Sequence, residues 1–390
     1  MKEHLRRIAP IFESTPLLII VLTVALGLTG LVMTLSASPI RALQTTGSAY
    51  SIFLRQALWM VAGFGAFAAA ASIRYVVWRK AAIPLLILSV VLLALVLVPG
   101  VGVTVFGATR WLGLGPLRVQ PSEIAKIAVV LMCALVLERR HSKLDDIMHV
   151  TVPLIFPMLA GLALLILLEP DLGTTIMIAA IVIFMLAIAG VRLAHMTAMA
   201  GVGLGLLVIL ALTASYRRER MTAFLDPWSD ASEGGYQVVQ SLIAIGSGGP
   251  TGAGLGASRQ KWSFLPSADT DFIFAILGEE LGLIGAVGVL GLITGLVLLC
   301  VRAARRAPTV FGSLVAGGVG LWIGVQAFLN IGAVTGLLPV TGVPLPLMSV
   351  GGSNAVVLLL AIGIVVAIAR EGDRAFAKSE RQRADGLAVK

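Results

Sequence analysis

The sequence predicts an all-α polytopic membrane protein of about ten transmembrane helices, with a large extracytoplasmic loop between the seventh and the eighth. Three observations carry this expectation. Hydrophobic residues make up 58% of the chain and charged residues only 13%, against about 25% charged in soluble domains. The mean hydropathy is +0.99. The apolar residues also gather into runs close to the roughly 20 residues that a bilayer-crossing helix needs, and most charges fall between the runs.

In chain order the predicted spans are Pro16–Ala37, Phe53–Ile73, Ala81–Val98, Pro121–Leu137, Val150–Leu168, Thr174–Ala189, Leu193–Ala214, Asp271–Val301, Val310–Val334 and Val350–Ala369. Only Gly190-Val191-Arg192 parts the sixth from the seventh, so a merged pair and a count of nine remain an alternative. The first run is too long for the apolar core of a signal peptide, despite Ser36-Ala37-Ser38 after it. An even count puts both termini on one side. That side collects most of the 29 Lys and Arg, including Arg6, Arg74, Arg139, Arg192, Arg302 and Arg370. By the positive-inside rule both termini are cytoplasmic. The organisation is then a cytoplasmic segment 1–15, a membrane domain 16–369 containing the loop 215–270, and a cytoplasmic tail 370–390.

The net charge of +9 has a topological cause, since anchoring ten helices consumes Lys and Arg, and nothing in the chain points to nucleic acid. Cys133 and Cys300 lie in separate spans without metal-ligand spacing and read as core packing.

The outer loops carry the candidate chemistry. Before the fourth span come Arg110-Trp111 and then Gln120-Pro121-Ser122-Glu123, with Lys126 three residues after Glu123 and on the same helical face. Glu123 and Lys126 read either as a mutual ion pair that anchors the helix or as ligand groups, and Arg110 and Trp111 either as interfacial anchors or as ligand groups. Glu169-Pro170-Asp171 interrupts an apolar stretch between the fifth and sixth spans. It is either a plain turn capped by Asp171 or irregular backbone lining a cavity. The loop 215–270 is too apolar for a linker and predicts a short amphipathic helix around Val238–Ile245, followed by a glycine-rich return. Arg217, Arg218, Arg220, Arg259 and Lys261 oppose the positive-inside trend there, which suggests an anionic ligand such as a lipid phosphate; attraction to ordinary headgroups is the alternative.

Asp271 opens the eighth span beside Phe272, Ile273 and Phe274. It reads either as a helix cap or as a partly desolvated carboxylate whose pKa rises toward the range of a general base. Glu279 and Glu280 lie deeper, where adjacent carboxylates are expensive unless paired or functional. The segment from Gly336 to Ser353 is rich in Pro and Gly yet apolar, so it is expected to dip into the membrane or line a cavity.

Arg110-Trp111 with Gln120-Pro121-Ser122-Glu123, the run from Gly235-Tyr236-Gln237 to Gly249, Thr270-Asp271-Phe272-Ile273-Phe274 with Glu279-Glu280-Leu281-Gly282, and the Gly336–Ser353 segment together closely resemble the SEDS family (shape, elongation, division, sporulation), which includes FtsW and RodA. The resemblance covers nearly the whole chain. It implies a peptidoglycan glycosyltransferase that polymerises lipid II at the outer face of the cytoplasmic membrane alongside a class B penicillin-binding protein and other divisome or elongasome proteins. It implies Asp271 as the catalytic base, Glu123 and Lys126 as the family's salt-bridged pair, Trp111 as its tryptophan, and help from a divalent cation, Mg or Mn. Arg110, Arg217, Tyr236, Gln237, Arg259, Lys261 and Ser353 are the further expected substrate contacts. Asp269 stands where the family usually has His, and Leu347, Met348 and Asn354 also depart from its pattern. Leu225-Asp226-Pro227-Trp228 and Gly254-Leu255-Gly256 with Gln260-Lys261 resemble the division branch, and Val340-Thr341-Gly342-Val343-Pro344 the elongation branch; the resemblance is nearer to division. The readings set against an enzyme are a lipid II flippase and a non-catalytic scaffold for the transpeptidase.

Overall fold

The computed structural model describes residues 14–105, 107–114, 117–144, 154–213 and 224–388. The chain enters with α1 (Thr15–Ala37), turns through the short α2 (Pro39–Thr46), and continues as α3 (Ser51–Ser72) and α4 (Val76–Val96). A small antiparallel sheet follows, with β1 (Val103–Val105), β2 (Ala108–Leu114) and β3 (Leu117–Val119) in that spatial order. The sequence reading had only a glycine-rich loop here. The β-branched and aromatic residues Val103, Thr109, Trp111 and Val119 supply the strand preference, and Val103 pairs with Trp111.

Helix α5 (Pro121–Arg139) then enters the bundle, with Pro in its first turn, where a missing N–H costs nothing. A π-helical turn, Leu154–Leu159, leads into α6 (Ala160–Leu168), followed by α7 (Leu172–Ala189) and α8 (Leu193–Thr213). Gly190, at φ 89, caps α7 in the left-handed conformation, so the sixth and seventh predicted spans are separate helices. In the large loop, α9 (Tyr236–Gly248) is the expected amphipathic helix, three residues longer toward the chain end. The bundle closes with α10 (Ile273–Arg306), α11 (Val310–Val334) and α12 (Gly352–Ala388).

Seven described helices are long and apolar enough to cross a membrane: α1, α3, α4, α7, α10, α11 and α12. The remaining three predicted spans correspond to α5, which carries Glu123, Lys126, Glu138 and Arg139, to the π-helical turn with α6, and to α8. Apolar side chains such as Leu58, Val61, Ile87 and Val91 stay exposed on α3 and α4, as expected of faces turned to lipid. By contrast, α5 and α11 bury most of their circumference and form the centre. Against α12, α3 packs at close range, with Gly63 facing Leu359 and Gly363 facing the Phe67 carbonyl. Such backbone approach is how helices associate where lipid removes the hydrophobic drive. At the end of the bundle that holds the N-terminus of α1, Asp373 accepts from the Thr15 amide at 3.0 Å and pairs with Arg306 at 3.0 Å. The last helix runs on to Ala388, well past the predicted end of the span at Ala369.

The eighth predicted span is two helices in series. Gly282, at φ 66 and ψ −163, breaks α10 into a short re-entrant piece, 273–281, and the long crossing piece after it. Only glycine tolerates that conformation at low cost. The break lets the Glu280 carbonyl accept from Gly254 N at 3.0 Å and Leu283 N reach the Gly249 carbonyl at 2.9 Å. A Cβ on Gly282 would also meet the Gly252 amide nitrogen. Gly282→Ala is expected to cost at least the 1–3 kcal/mol or so of such backbone strain, read as a lowered melting temperature of the purified protein in detergent; an unshifted melt would show that the break is not required.

Candidate active site

Asp271 lies in a tight turn ahead of α10. Ser267 takes φ 58, and its carbonyl accepts from Thr270 N at 3.0 Å and from Phe272 N at 3.2 Å. The N-cap position belongs to Phe272, one residue after Asp271. Asp271 and Thr270 before it are half-buried, and Asp269 and Phe272 on either side of them are buried. Its turn is held from three sides. Asn330 on α11 donates Nδ2 to the Asp271 carbonyl at 2.7 Å, Ser349 donates Oγ to the Thr270 carbonyl at 2.6 Å, and Val350 N donates to the Asp269 carbonyl at 3.0 Å. Asp269 is buried, and its Oδ1 pairs with Arg41 Nη1 at 2.6 Å. The residue that departs from the family pattern is thus tied to α2.

The 336–351 segment folds inward, as expected of so apolar a loop. Val343, Leu345, Leu347 and Met348 are all buried. Gly342 brings its backbone beside Asp271, and a Cβ there would stand 3.7 Å from Asp271 Oδ2. Gln56, inside α3, reaches the same segment and accepts from Gly351 N at 3.2 Å.

Next to this segment sits a second knot. Arg110, on β2, donates Nε to the Glu169 carbonyl at 3.1 Å and Nη2 to the Pro170 carbonyl, with Asp171 Oδ1 3.9 Å from its Nη1. Asp171 caps α7 by accepting from Thr174 N at 3.1 Å, and it also takes Gln120 Nε2 at 3.1 Å. Gln120 N in turn donates to Ser353 Oγ at 3.2 Å. The capping reading of the Glu169-Pro170-Asp171 turn therefore holds, and Arg110 clasps the carbonyls of the turn. Trp111 lies half-buried on the same strand as Arg110. Glu169 is fully buried, and neither of its carboxylate oxygens has a hydrogen-bond partner. Burial foremost, and then the Asp171 charge, push its pKa up to about 8, against a lowering by Arg110.

Glu123 and Lys126 are enclosed, at 3% and 1% exposure, and pair at 2.6 Å. Asn354 Nδ2 donates to Glu123 Oε2 at 2.9 Å, and Lys126 Nζ stands 5.1 Å from the centre of the Trp322 ring. This is the mutual-pair alternative of the sequence reading, with a cation–π contact added.

The large loop is anchored by the paired carboxylates. Glu279 accepts from Ser258 Oγ at 2.5 Å and Arg259 N at 2.9 Å. Glu280 accepts from Ser36 Oγ on α1 at 2.6 Å and from Lys261 Nζ at 3.4 Å. Lys261 is thus engaged within the protein, whereas the Arg259 side chain is exposed. Tyr236 and Gln237 open α9 and are half-buried; that helix is fixed to α11 by Ser241 Oγ donating to the Val334 carbonyl at 2.5 Å. Arg217 lies outside the described residues. The structure gathers Arg110, Ser353, Glu123, Lys126 and Asp271 through adjoining contacts, and hangs Arg259 and Lys261 on the Glu279–Glu280 anchor. Arg41, Ser36, Asn330 and Asn354 are the partners that the sequence reading did not single out. Asn330 and Asn354 could have been found as lone amides within apolar runs.

The sequence profile of the FtsW, RodA and SpoVE group, described as cell cycle protein, matches residues 16–374. The chain belongs to this family. It is 43% identical over 342 residues to a probable peptidoglycan glycosyltransferase FtsW of Nitrosococcus halophilus, covering 87% of this chain and 88% of that protein. It is 39% identical over 357 residues to the stage V sporulation protein E of Bacillus subtilis, covering 92% and 97%. Among solved structures it is similar to a chain of a peptidoglycan synthase complex in which polymerization and crosslinking are coordinated, at a TM-score of 0.73, 30% identity and coverage of 90% and 97%. It is also similar to the rod shape determining protein RodA of Thermus thermophilus, at 0.67, 28% identity and 90% and 96%. The likeness extends over the helical framework of the family, so this member is a multi-pass membrane protein.

Two expectations follow for this FtsW/RodA relative. Breaking the enclosed pair with Lys126→Met leaves an uncompensated charge and should cost about 3–5 kcal/mol. Glu123→Gln added to it should restore part of the loss in a denaturation series, and a double variant no better than the single one would refute the pairing. Glu169 keeps a proton in the folded state between 4.5 and about 8 that the unfolded chain releases. Stability should therefore fall as pH rises through that window. Glu169→Gln should flatten the decline between pH 5 and pH 8, and a melting profile as steep as the parent's would exonerate Glu169.

Proposed function

We propose that this chain is a peptidoglycan glycosyltransferase that polymerises lipid II into β-1,4-linked glycan at the outer face of the cytoplasmic membrane, with both termini in the cytoplasm. The observation that carries the reading is Asp271: a half-buried carboxylate in a turn pinned by Asn330, Ser349 and Val350, where two irregular segments meet at one end of the bundle. The FtsW name of its relatives, which includes the activity, supports the same reading.

The chemistry asks for little covalent work. The acceptor's 4-hydroxyl oxygen attacks the donor's anomeric carbon from the face opposite the pyrophosphate. The bond from carbon to pyrophosphate breaks, the pyrophosphate leaves with the electron pair, and the configuration inverts. Asp271 takes the hydroxyl proton, a contribution worth about 10²–10⁴-fold in such reactions. Positive charge near the leaving group stabilises the charge that develops there. Arg259, whose side chain is exposed, is our candidate to supply it, with Arg217 as its counterpart in the same loop. Lys261 contributes while held by Glu280. The divalent cation implied by the family finds no group of three or more His, Cys, Asp or Glu among the described residues, so no step is assigned to it.

The partner that this reading calls for is a class B penicillin-binding protein, a transpeptidase that crosslinks the product. Likeness to a chain of a synthase complex that couples polymerization with crosslinking supports it. Relatives named FtsW favour division as the setting. A flippase would need ionisable groups along a path through the bilayer, whereas Glu123 and Lys126 stand in the first turns of α5 and neutralise each other.

Purified protein in vesicles with labelled lipid II should yield polymer, and Asp271→Ala should reduce it by at least about 100-fold while the melting temperature holds. Undiminished polymer from the variant sinks the assignment. Translocation of lipid II that survives the substitution would favour the flippase.

A further inference from the structure

Polar side chains deep in a membrane bundle are expensive unless they are matched, and α11 carries three at a spacing of four. Trp322, Gln326 and Asn330 stand on one face of that helix, at 0%, 0% and 2% exposure. Trp322 Nε1 donates to Gln326 Oε1 at 2.8 Å, and Gln326 Nε2 donates to the Pro344 carbonyl at 2.9 Å. Asn330 spends both hydrogens of its amide, one on the Asp271 carbonyl at 2.7 Å and one on the Val343 carbonyl at 2.8 Å. At the other end of the row, the Trp322 ring faces Lys126 at 5.1 Å, and Lys126 holds Glu123 at 2.6 Å. A line of contacts thus runs from the enclosed ion pair to the backbone of Asp271, passing from Gln326 to Asn330 through the adjacent Val343 and Pro344 carbonyls.

We infer that this row is a positioning spine for Asp271, with Asn330 as its working end. The inference rests on Asp271 acting as the base. One planar amide bridges two irregular segments that no strand or helix joins. Together with Ser349 on Thr270 and Val350 on Asp269, it sets how the Asp271 backbone stands against the 342–344 backbone, where a Cβ on Gly342 would lie 3.7 Å from the carboxylate. Gln326 repeats the device one turn further along by holding Pro344. Lys126 and Glu123 contribute by fixing the Trp322 ring, and through it the Gln326 amide. None of the three spine residues needs to touch substrate. Their effect passes through where the carboxylate stands, and a displacement of about 1 Å is enough to cost on the order of 100-fold in rate.

The test uses full-length protein in vesicles with labelled lipid II. Asn330→Leu keeps the branching and the number of heavy atoms and removes both donors. It should lower kcat by about 100-fold with KM within about twofold, whereas a merely structural lesion would lower the amount of folded enzyme and leave the kcat of the folded fraction intact. Gln326→Leu should act in the same direction with a smaller loss. The Asn330→Leu and Lys126→Met effects on kcat should be less than additive, since both act through one row. If Asn330→Leu does not fold, Asn330→Ser, which keeps one donor, is measured instead, with a kcat between those of the parent and Asp271→Ala expected. Parental kcat in the folded variant overturns the spine while leaving Asp271 as base. Polymer from Asp271→Ala overturns the base, and the spine with it.

Discussion

Backbone groups within a bilayer must be satisfied inside the protein, because an unmatched amide or carbonyl there costs several kcal/mol. Helices meet this demand by themselves. The segments 267–272 and 336–351 cannot, and the architecture around them is organised by where their carbonyls and amides go. Asn330 serves Asp271 and Val343, Gln326 serves Pro344, Ser349 serves Thr270, and Gln56 serves Gly351. These four side chains come from α3, from α11 and from the last loop itself. The turn that presents Asp271 is thereby held by the same contacts that make irregular backbone tolerable at that depth. Rigidity at the site and satisfaction of the backbone are one requirement met once.

The same constraint sorts the buried charges. Glu123 is neutralised by Lys126 and also receives an amide from Asn354, so its charge is compensated where it stands. Glu279 and Glu280 are satisfied by backbone amides, by Ser36, Ser258 and Lys261, and they fasten the large loop to α1 and to the short piece of α10. Glu169 is the exception. Its backbone is clasped by Arg110, but its carboxylate has no hydrogen-bond partner. A buried group of that kind resolves its cost by keeping its proton, which is what its raised pKa expresses. The protein thus uses pairing where it needs a fixed anchor and protonation where it does not.

Much of this was legible in the sequence. Apolar runs and their flanking charges gave the helices, because period and length are local properties. Asp271, the Glu123–Lys126 pair and the short helix in the large loop were visible as costly residues or as a local pattern. What the sequence hid was pairing across long separations. Arg41 with Asp269, Ser36 with Glu280 and Asn330 with Asp271 join elements that are far apart in the chain. Lys261 read as a free cation because Glu280 could not be placed beside it. The break at Gly282 was concealed by apolarity continuing on both sides of it, and the small sheet was concealed by the glycines between its strands.

The separation along α11 bears on what the bundle is for. Eight residues divide Trp322 from Asn330, about 12 Å at 1.5 Å per residue. Over that distance every side-chain N–H on this face is committed to the protein itself: Trp322 Nε1 to Gln326, Gln326 Nε2 to Pro344, and Asn330 Nδ2 to Asp271 and Val343, with only the Asn330 Oδ1 left without a hydrogen-bond partner. A route for a charged headgroup requires polar groups whose partners are water or cargo, able to change hands as the cargo moves. Groups already committed to backbone carbonyls cannot do this without releasing irregular segments into the bilayer. The central polar row is therefore suited to hold one carboxylate still, and poorly suited to hand a headgroup across.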